Sequence, residues 1–321
     1  MLERDRIAHR RFGDLPGLLE PGDLLVLNET RVIAARIFGR RGSGGAAEFL
    51  LLHPAGSARY RSDAVRWIAL AKPARRLRAG SRVVLEGGFG EVSVAAELPE
   101  GMRELVFELR VPFEEYLERA GRLPLPPYIH NDSPEAQRRY QTVFARVPGS
   151  VAAPTASLHF TAGLLQLLEA RGVEIARLCL DVGLGTFRPM TAERVGEHVM
   201  HAESYEIPEP TAQAIERARA QGRRVVAAGT TVVRAIEGNI QAHGRVVPGE
   251  DATDLFIAPG FAFRGVDAMI TNFHLPRSSL LVLVSAFAGR ERIRLAYEEA
   301  IALRYRFFSF GDAMFVTRST A

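Results

Sequence analysis

Six short segments concentrate the residue types that acid–base and ligand-binding chemistry needs. The densest, Thr271-Asn272-Phe273-His274-Leu275-Pro276-Arg277-Ser278-Ser279, sets one of the chain's four asparagines beside a histidine, an arginine and paired serines, in a proline-bounded loop after an apolar run. Polar types gathered at the end of a buried strand are what an active-site loop requires, with a self-satisfied structural loop as the alternative. Pro154-Thr155-Ala156-Ser157-Leu158-His159-Phe160-Thr161 places a second histidine just ahead of a helix start, where an imidazole can trade protons near neutral pH. Taken alone, such a histidine is more often structural. In Val225-Val226-Ala227-Ala228-Gly229-Thr230-Thr231-Val232-Val233-Arg234-Ala235-Ile236-Glu237 a buried strand runs through Gly-Thr-Thr into a helix. The free N–H groups and positive dipole of that helix start form an anion site, unless Thr230 merely caps it. Leu180-Asp181-Val182-Gly183-Leu184-Gly185-Thr186-Phe187-Arg188-Pro189 pairs a strand end with spaced glycines that admit a nucleotide or sulfonium ligand close to the backbone. As a nucleotide loop it lacks a third glycine, and Pro189 falls where the next helix should be under way. His198-Val199-Met200-His201-Ala202-Glu203-Ser204-Tyr205 invites a metal reading, yet the segment alternates like a strand, which sends the two histidines to opposite faces. Finally, Tyr305-Arg306-Phe307-Phe308-Ser309-Phe310-Gly311-Asp312-Ala313-Met314 either stacks a base or closes a core edge.

The elements that must hold these segments follow from periodicity, which changes near residues 33 and 112. Between them, Val32–Phe38, Glu48–Leu52, Val65–Ala71, Arg82–Leu85, Val92–Ala96 and Leu105–Leu109 read as short strands separated by glycines and prolines, which predicts a small all-β barrel. After Pro112 the pattern becomes α/β. Helices are expected over Phe113–Ala120, Ala162–Ala170 (N-cap Thr161), Thr211–Gln221 and Arg290–Arg304, and strands over Val173–Val182 and Arg223–Ala228. The fold class is therefore α/β: a large α/β domain, 1–32 and 113–321, with a small β-barrel domain, 33–112, inserted near its start.

Composition narrows the function classes. Of 321 residues, 47% are hydrophobic and 24% charged, the balance of a soluble globular protein. The longest apolar stretch, Leu280 to Ala288, is far short of the roughly 20 residues of a membrane span, and no signal-peptide core opens the chain, so a cytoplasmic protein is expected. Cys179 is the only cysteine, excluding an internal disulfide and a cysteine zinc cluster. The net charge of +4 is modest, but Arg59, Arg61, Arg66, Lys72, Arg75, Arg76, Arg78 and Arg82 face one acid, Asp63, between residues 59 and 82. Such a patch can neutralise phosphates or serve as a solvated face. Lys72 is the only lysine, so arginine usage by itself says little here.

The order of the motifs is more specific than any one of them. Asp23-Leu24-Leu25-Val26-Leu27-Asn28-Glu29-Thr30-Arg31-Val32-Ile33 is followed by Leu123-Pro124-Leu125-Pro126-Pro127-Tyr128-Ile129, then Arg139-Tyr140-Gln141-Thr142-Val143-Phe144-Ala145, then Gly149-Ser150-Val151-Ala152-Ala153 leading into Pro154–Thr161 and the later loops. From about Gly22 to Met314 the chain closely resembles the S-adenosylmethionine:tRNA ribosyltransferase-isomerase family of queuosine biosynthesis. The resemblance implies a large α/β domain with a small β-barrel, and an adenosylmethionine that donates its ribosyl group instead of its methyl. The acceptor would be 7-aminomethyl-7-deazaguanine at the tRNA wobble position, the products epoxyqueuosine-tRNA, adenine and methionine. It further implies a monomer using no metal and no cofactor beyond adenosylmethionine as co-substrate.

Matched to that chemistry, His159, His274 and Asp312 are the catalytic candidates, the histidines as acid and base. The Gly229, Thr230 and Thr231 helix start, with Arg234 nearby, would take the methionine carboxylate. Asp181, Gly183 and Gly185 would line the adenosylmethionine pocket with Arg188 at its rim, Asn272 and Arg277 would position substrate, and the Arg59–Arg82 cluster would meet the tRNA backbone. Two departures stand out. The family usually carries a further upstream segment with an Arg-Asp-x-Ser-Arg stretch, so this member is expected to be shortened or to have its start codon placed late, with stability or activity at stake. Glu29 also stands where the family often has Asp. The competing readings are an adenosylmethionine-dependent methyltransferase, resting on Asp181–Gly185, and a non-catalytic tRNA-binding protein resting on the basic patch.

Overall fold

Leu24–Asn28 and Val225–Ala228 are buried along their whole lengths. Strands apolar on both faces belong inside a parallel sheet covered on two sides, and both lie there. The computed structural model describes residues 1–321 apart from 4, 5, 58, 127, 130–132, 184–189, 191–193, 199, 320 and 321. Among the described residues, nine strands form the main sheet and six close the barrel.

The heart of the main sheet is four parallel strands in the spatial order Glu174–Leu180, Leu24–Asn28, Val225–Ala228, Ala268–Asn272. Antiparallel strands flank them: Glu203–Ile207 and Gly249–Thr253 on one side, Ala313–Thr317 on the other, with Leu2–Glu3 and Arg6–Ile7 beyond. Side-chain alternation sorts this sheet into two cores. Leu24, Val26, Val225 and Ala227 face the cluster built with helices Glu209–Ala220, Thr230–His243 and Ser279–Ala288, whereas Leu25, Leu27, Val226 and Ile270 face Phe160, Leu165 and Leu168 of the Ala162–Ala170 side.

In the barrel, Arg36–Arg41, Ala46–Pro54, Arg66–Lys72, Arg82–Leu85, Gly90–Glu97 and Met102–Leu109 pair antiparallel all round. Ile37, Phe49, Leu51, Trp67, Val83, Val92, Leu105 and Phe107 fill the interior, as a barrel of this size requires. Helix Phe113–Ala120 packs Phe113, Tyr116 and Leu117 into that same cluster, with Phe113 stacked on Trp67 at 5.0 Å.

Two expected strands start elsewhere. The Val32–Phe38 strand is divided: Thr30–Val32 pairs with Val147–Ser150, and the barrel begins at Arg36. The alternating stretch from His198 becomes a strand only at Glu203, because its antiparallel neighbour Gly249–Thr253 offers its last partner there, Thr253 to Glu203. The aromatic run 305–310 is a core edge: Tyr305 and Phe307 pack on Phe273, Phe308 on Tyr128 and Phe310 on Tyr140.

Candidate active site

The carboxyl ends of the four parallel strands lead to Asn28, Asp181, Gly229 and Asn272, with Glu174–Leu180 running two residues beyond the register partner of Asn28. In chain order these strands run second, first, third, fourth across the sheet, so the chain departs to opposite sides of Leu24–Asn28 and Val225–Ala228 and opens a crevice between their ends. Ligands of open α/β sheets bind at such a point. A cavity there is lined by Pro154, Thr155, Gly229, Thr230, Thr231, Asn272 and His274, among others. The structure thus joins the segments around residues 155, 230 and 272.

Asn28 ties the floor together. Its amide nitrogen donates to the Leu180 carbonyl (3.0 Å) and to Thr231 Oγ1 (3.3 Å), and its Oδ1 accepts from Leu180 N (3.0 Å) and Thr30 N (3.1 Å). Sequence reasoning left this residue out of the site; the signal was an asparagine, scarce in this chain, ending a wholly apolar strand. Gly229 adopts φ +106°, a region open to glycine, and so turns the strand end directly into helix Thr230–His243. Together with Thr230 and Thr231, that helix start borders the cavity and suits an anion.

The two histidines differ. His274 is buried, its Nε2 hydrogen-bonded with Thr271 Oγ1 at 2.7 Å, and burial pushes its pKa down to about 4. It is a neutral hydrogen-bonding wall of the cavity at physiological pH, a poor proton carrier. His159 stacks on Phe12 (4.9 Å) and lines a neighbouring depression with Arg306 and Asp312. Burial lowers its pKa, with the Asp312 charge opposing. It reaches the main cavity through Asn272, whose Nδ2 is 3.5 Å from His159 Nε2 and whose Oδ1 accepts from Thr155 Oγ1 (2.8 Å). Asp312 accepts from Arg306 N (2.7 Å) and Arg306 Nη2 (2.9 Å). Burial works against ionisation there, yet these bonds hold the carboxyl below its ordinary range. Asp312 therefore stands outside the main cavity, engaged with arginine.

Asp181 has the most distinctive surroundings. Its Oδ1 accepts from Thr30 Oγ1 (3.2 Å) and lies 3.7 Å from the buried Cys179 thiol, and a Cβ on Gly149 would collide with the carboxylate. Burial pushes its pKa up to about 6, against the pull of Arg59 and Thr30. That is a carboxyl able to accept a proton near neutrality. The Cys179 thiol, pushed up to about 12 by burial, is inert. Gly183 N donates to Glu203 Oε1 (3.0 Å), and Gly185 and Arg188 lie outside the described residues.

Arg234 corrects an expectation. Its buried guanidinium is paired with Glu203 and donates to the Leu255 and Thr253 carbonyls at 3.2 Å each, so it braces the strand that holds Gly183 instead of meeting a ligand at the helix start. Arg277 is exposed on a left-handed turn, φ +55°, its carbonyl accepting from Met190 N (2.8 Å).

The basic cluster divides as well. Arg61 pairs with Asp63, Arg66 with Glu104 and Arg82 with Glu91, and Arg59 reaches off the barrel to Glu206 (2.8 Å) and Glu250 (2.6 Å) of the main sheet. Lys72, Arg75, Arg76 and Arg78 stand exposed around one turn, with no ion pair among the described residues. Buried Arg103 braces that turn by donating to the carbonyls of Leu77 (2.5 Å) and Ala74 (2.7 Å). Among the described residues no group of three or more His, Cys, Asp or Glu could hold a metal, and no helix is long and apolar enough to cross a membrane.

Comparison with known proteins identifies the family. The family model described as queuosine biosynthesis protein matches residues 1–316. A relative from Rubrobacter xylanophilus, named S-adenosylmethionine:tRNA ribosyltransferase-isomerase, is 54% identical over 309 residues, 96% of this chain and 86% of its own length. The relative of that name from Symbiobacterium thermophilum is 52% identical over 97% of this chain and 89% of its own. The crystal structure of S-adenosylmethionine tRNA ribosyltransferase from Thermotoga maritima is 35% identical, with 97% of this chain and 88% of that one covered and a TM-score of 0.50.

Proposed function

This chain belongs to the queuosine biosynthesis protein family, and from that membership we propose that it transfers and isomerises the ribosyl group of S-adenosylmethionine onto a tRNA. The acceptor is 7-aminomethyl-7-deazaguanine at the wobble position, and the products are epoxyqueuosine-tRNA, adenine and methionine. The protein works in the cytoplasm as a monomer, with adenosylmethionine as co-substrate and no metal or other cofactor. The observation that carries the reading is the crevice between the ends of Leu24–Asn28 and Val225–Ala228, where the start of helix Thr230–His243 lines one cavity with Thr155, Asn272 and His274.

In that crevice Gly229, Thr230 and Thr231 hold the methionine carboxylate, and Asn272 with Thr155 orients the nucleoside. The reaction needs a base to remove a proton next to the sulfonium or from the acceptor ammonium. Asp181 fits this role better than His274, because its proton affinity lies near working pH whereas the buried imidazole's lies far below. His159 stands behind Asn272 and fixes the orientation of its amide, which is the hydrogen-bond donor toward departing adenine. Gly183 borders the co-substrate, and Arg277 positions substrate. The exposed turn of Lys72, Arg75, Arg76 and Arg78 meets the tRNA backbone.

Incubating the protein with adenosylmethionine and precursor-bearing tRNA, then resolving products by mass spectrometry, tests the reading. Free adenine, methionine and epoxyqueuosine in the tRNA are expected. S-adenosylhomocysteine would overturn it in favour of methyl transfer, and tRNA binding without adenosylmethionine consumption in favour of a binding protein.

A further inference from the structure

Among the described residues, Arg59 is the member of the basic cluster whose side chain leaves the barrel for the main sheet. It sits in the connection between barrel strands Ala46–Pro54 and Arg66–Lys72, and that connection is braced locally. Ser57 Oγ accepts from Arg59 N (3.2 Å) and donates to the Arg59 carbonyl (3.1 Å). The next residue, Tyr60, donates to Glu114 of the barrel-capping helix (3.3 Å) and packs its ring 5.8 Å from that of Trp67. The guanidinium is mostly buried and bonds Glu206 and Glu250 of two adjacent main-sheet strands. Glu206 is in turn the cross-strand partner of Cys179, two residues before Asp181 on the same strand, and the Cys179 thiol touches the Asp181 carboxylate. A barrel-borne cation is therefore seated against the strand end that carries the candidate base.

We propose that Arg59 is a positioning residue for Asp181: by seating the barrel against the main sheet, it brings a positive charge to the carboxylate and makes the ionised, proton-accepting form available. The inference rests on the proposed ribosyl-transfer reading. Its physical content is charge proximity. The groups facing Asp181 are Arg59 from the barrel, Cys179 on its own strand, Glu203 on the neighbouring strand, and the hydroxyl of Thr30. Burial and Glu203 favour the protonated acid, and Arg59 and Thr30 favour the carboxylate.

The test compares the intact protein with Arg59→Gln, Arg59→Lys and Glu206→Gln. Two readouts are taken: the pH profile of adenine release with adenosylmethionine and precursor-bearing tRNA, and a carbon-13 titration of the aspartate carboxyls, with Asp181→Asn assigning the resonance. Arg59→Gln is expected to move the acid limb and the Asp181 titration up by about half a unit to one unit, lowering the rate at pH 6 roughly threefold. Arg59→Lys should stay near the parent. Glu206→Gln should move both down, since removing an anion that competes for Arg59 frees its charge for Asp181. Opposite shifts are what a merely structural contact would not produce. Superimposable titrations in all variants, or an equal rate loss at every pH, would overturn the proposal. If Arg59→Gln does not fold, the Glu206→Gln shift decides alone. A parent enzyme that releases no adenine would sink the ribosyl-transfer reading, while the carboxyl titration would still judge the role of Arg59.

Discussion

The barrel and the parallel sheet solve opposite electrostatic problems with the same alternating backbone. Barrel strands bury one face and, apart from the buried Arg103, hold most of their charges on the other, where Arg66–Glu104, Arg36–Glu48 and Arg82–Glu91 pair at the surface. The parallel strands Leu24–Asn28, Val225–Ala228 and Ala268–Asn272 bury both faces and carry their polar residues at the carboxyl ends, where Asn28, Asp181, Thr231 and Asn272 bond one another's elements inside the protein. Exposed pairs contribute little because water screens them. Buried polar groups carry large stakes because each lost partner leaves a desolvated atom. One region can therefore vary its charges cheaply, and the other concentrates chemistry.

The contrast predicts a gradient of mutational effects. Asn28→Leu should be the most damaging, since it strands the buried N–H and carbonyl of Leu180. A stability loss of about 3 kcal/mol or more is expected in urea denaturation, with activity abolished. An Asn28→Leu protein as stable as the parent would refute the claim that the sheet ends are where polar bonds matter.

Asp181→Asn should leave folding at pH 7 intact and lower kcat for adenine release about 10²- to 10³-fold. Its stability profile checks the sign. The folded pKa of about 6 lies above the ordinary carboxylate value of 3.8. The native state therefore binds this proton more tightly than the unfolded chain does. That contribution is full at low pH and is lost as pH rises from about 4 through 6. Urea midpoints compared at pH 4.5 and 7 should show this loss in the parent and lack it in Asp181→Asn.

Arg103→Met should cost about 2 kcal/mol by freeing the carbonyls of Ala74 and Leu77. With the turn loosened, KM for tRNA should rise while kcat holds. Replacing Arg75, Arg76 and Arg78 together with alanine should raise that KM about tenfold and flatten its salt dependence, with no change in melting temperature. Arg61→Ala and Arg82→Ala, which break exposed pairs, should stay within about twofold of the parent in both KM and stability. Equal effects across all five arginines would erase the distinction between free and paired cations.

How much of this was legible in the chain depended on range. Phe113–Ala120 and Ala162–Ala170 match the expected helices end to end, because capping and helical periodicity are local. The barrel strands were legible to within a few residues for the same reason, period-two alternation. The polar loops around 155, 230 and 272 were recognisable as chemistry-bearing, since glycine, threonine, asparagine and histidine after apolar strands have few other uses. What could not be read was which groups face each other. Arg59 and Arg75 look equivalent in sequence, yet one is bonded to Glu206, 147 positions away, and the other is exposed. His159 and His274 look like twin acid–base candidates, yet burial pushes the His274 imidazole down to about 4 and silences it. Asp181 looks like any loop carboxylate until burial raises its proton affinity. By itself the sequence determined the elements, their order and the kinds of residues at the strand ends. Only the tertiary structure decided which charges are free, which are paired and which carboxyl can take a proton. Pairing and desolvation depend on neighbours in space, and those are settled only when distant segments pack together.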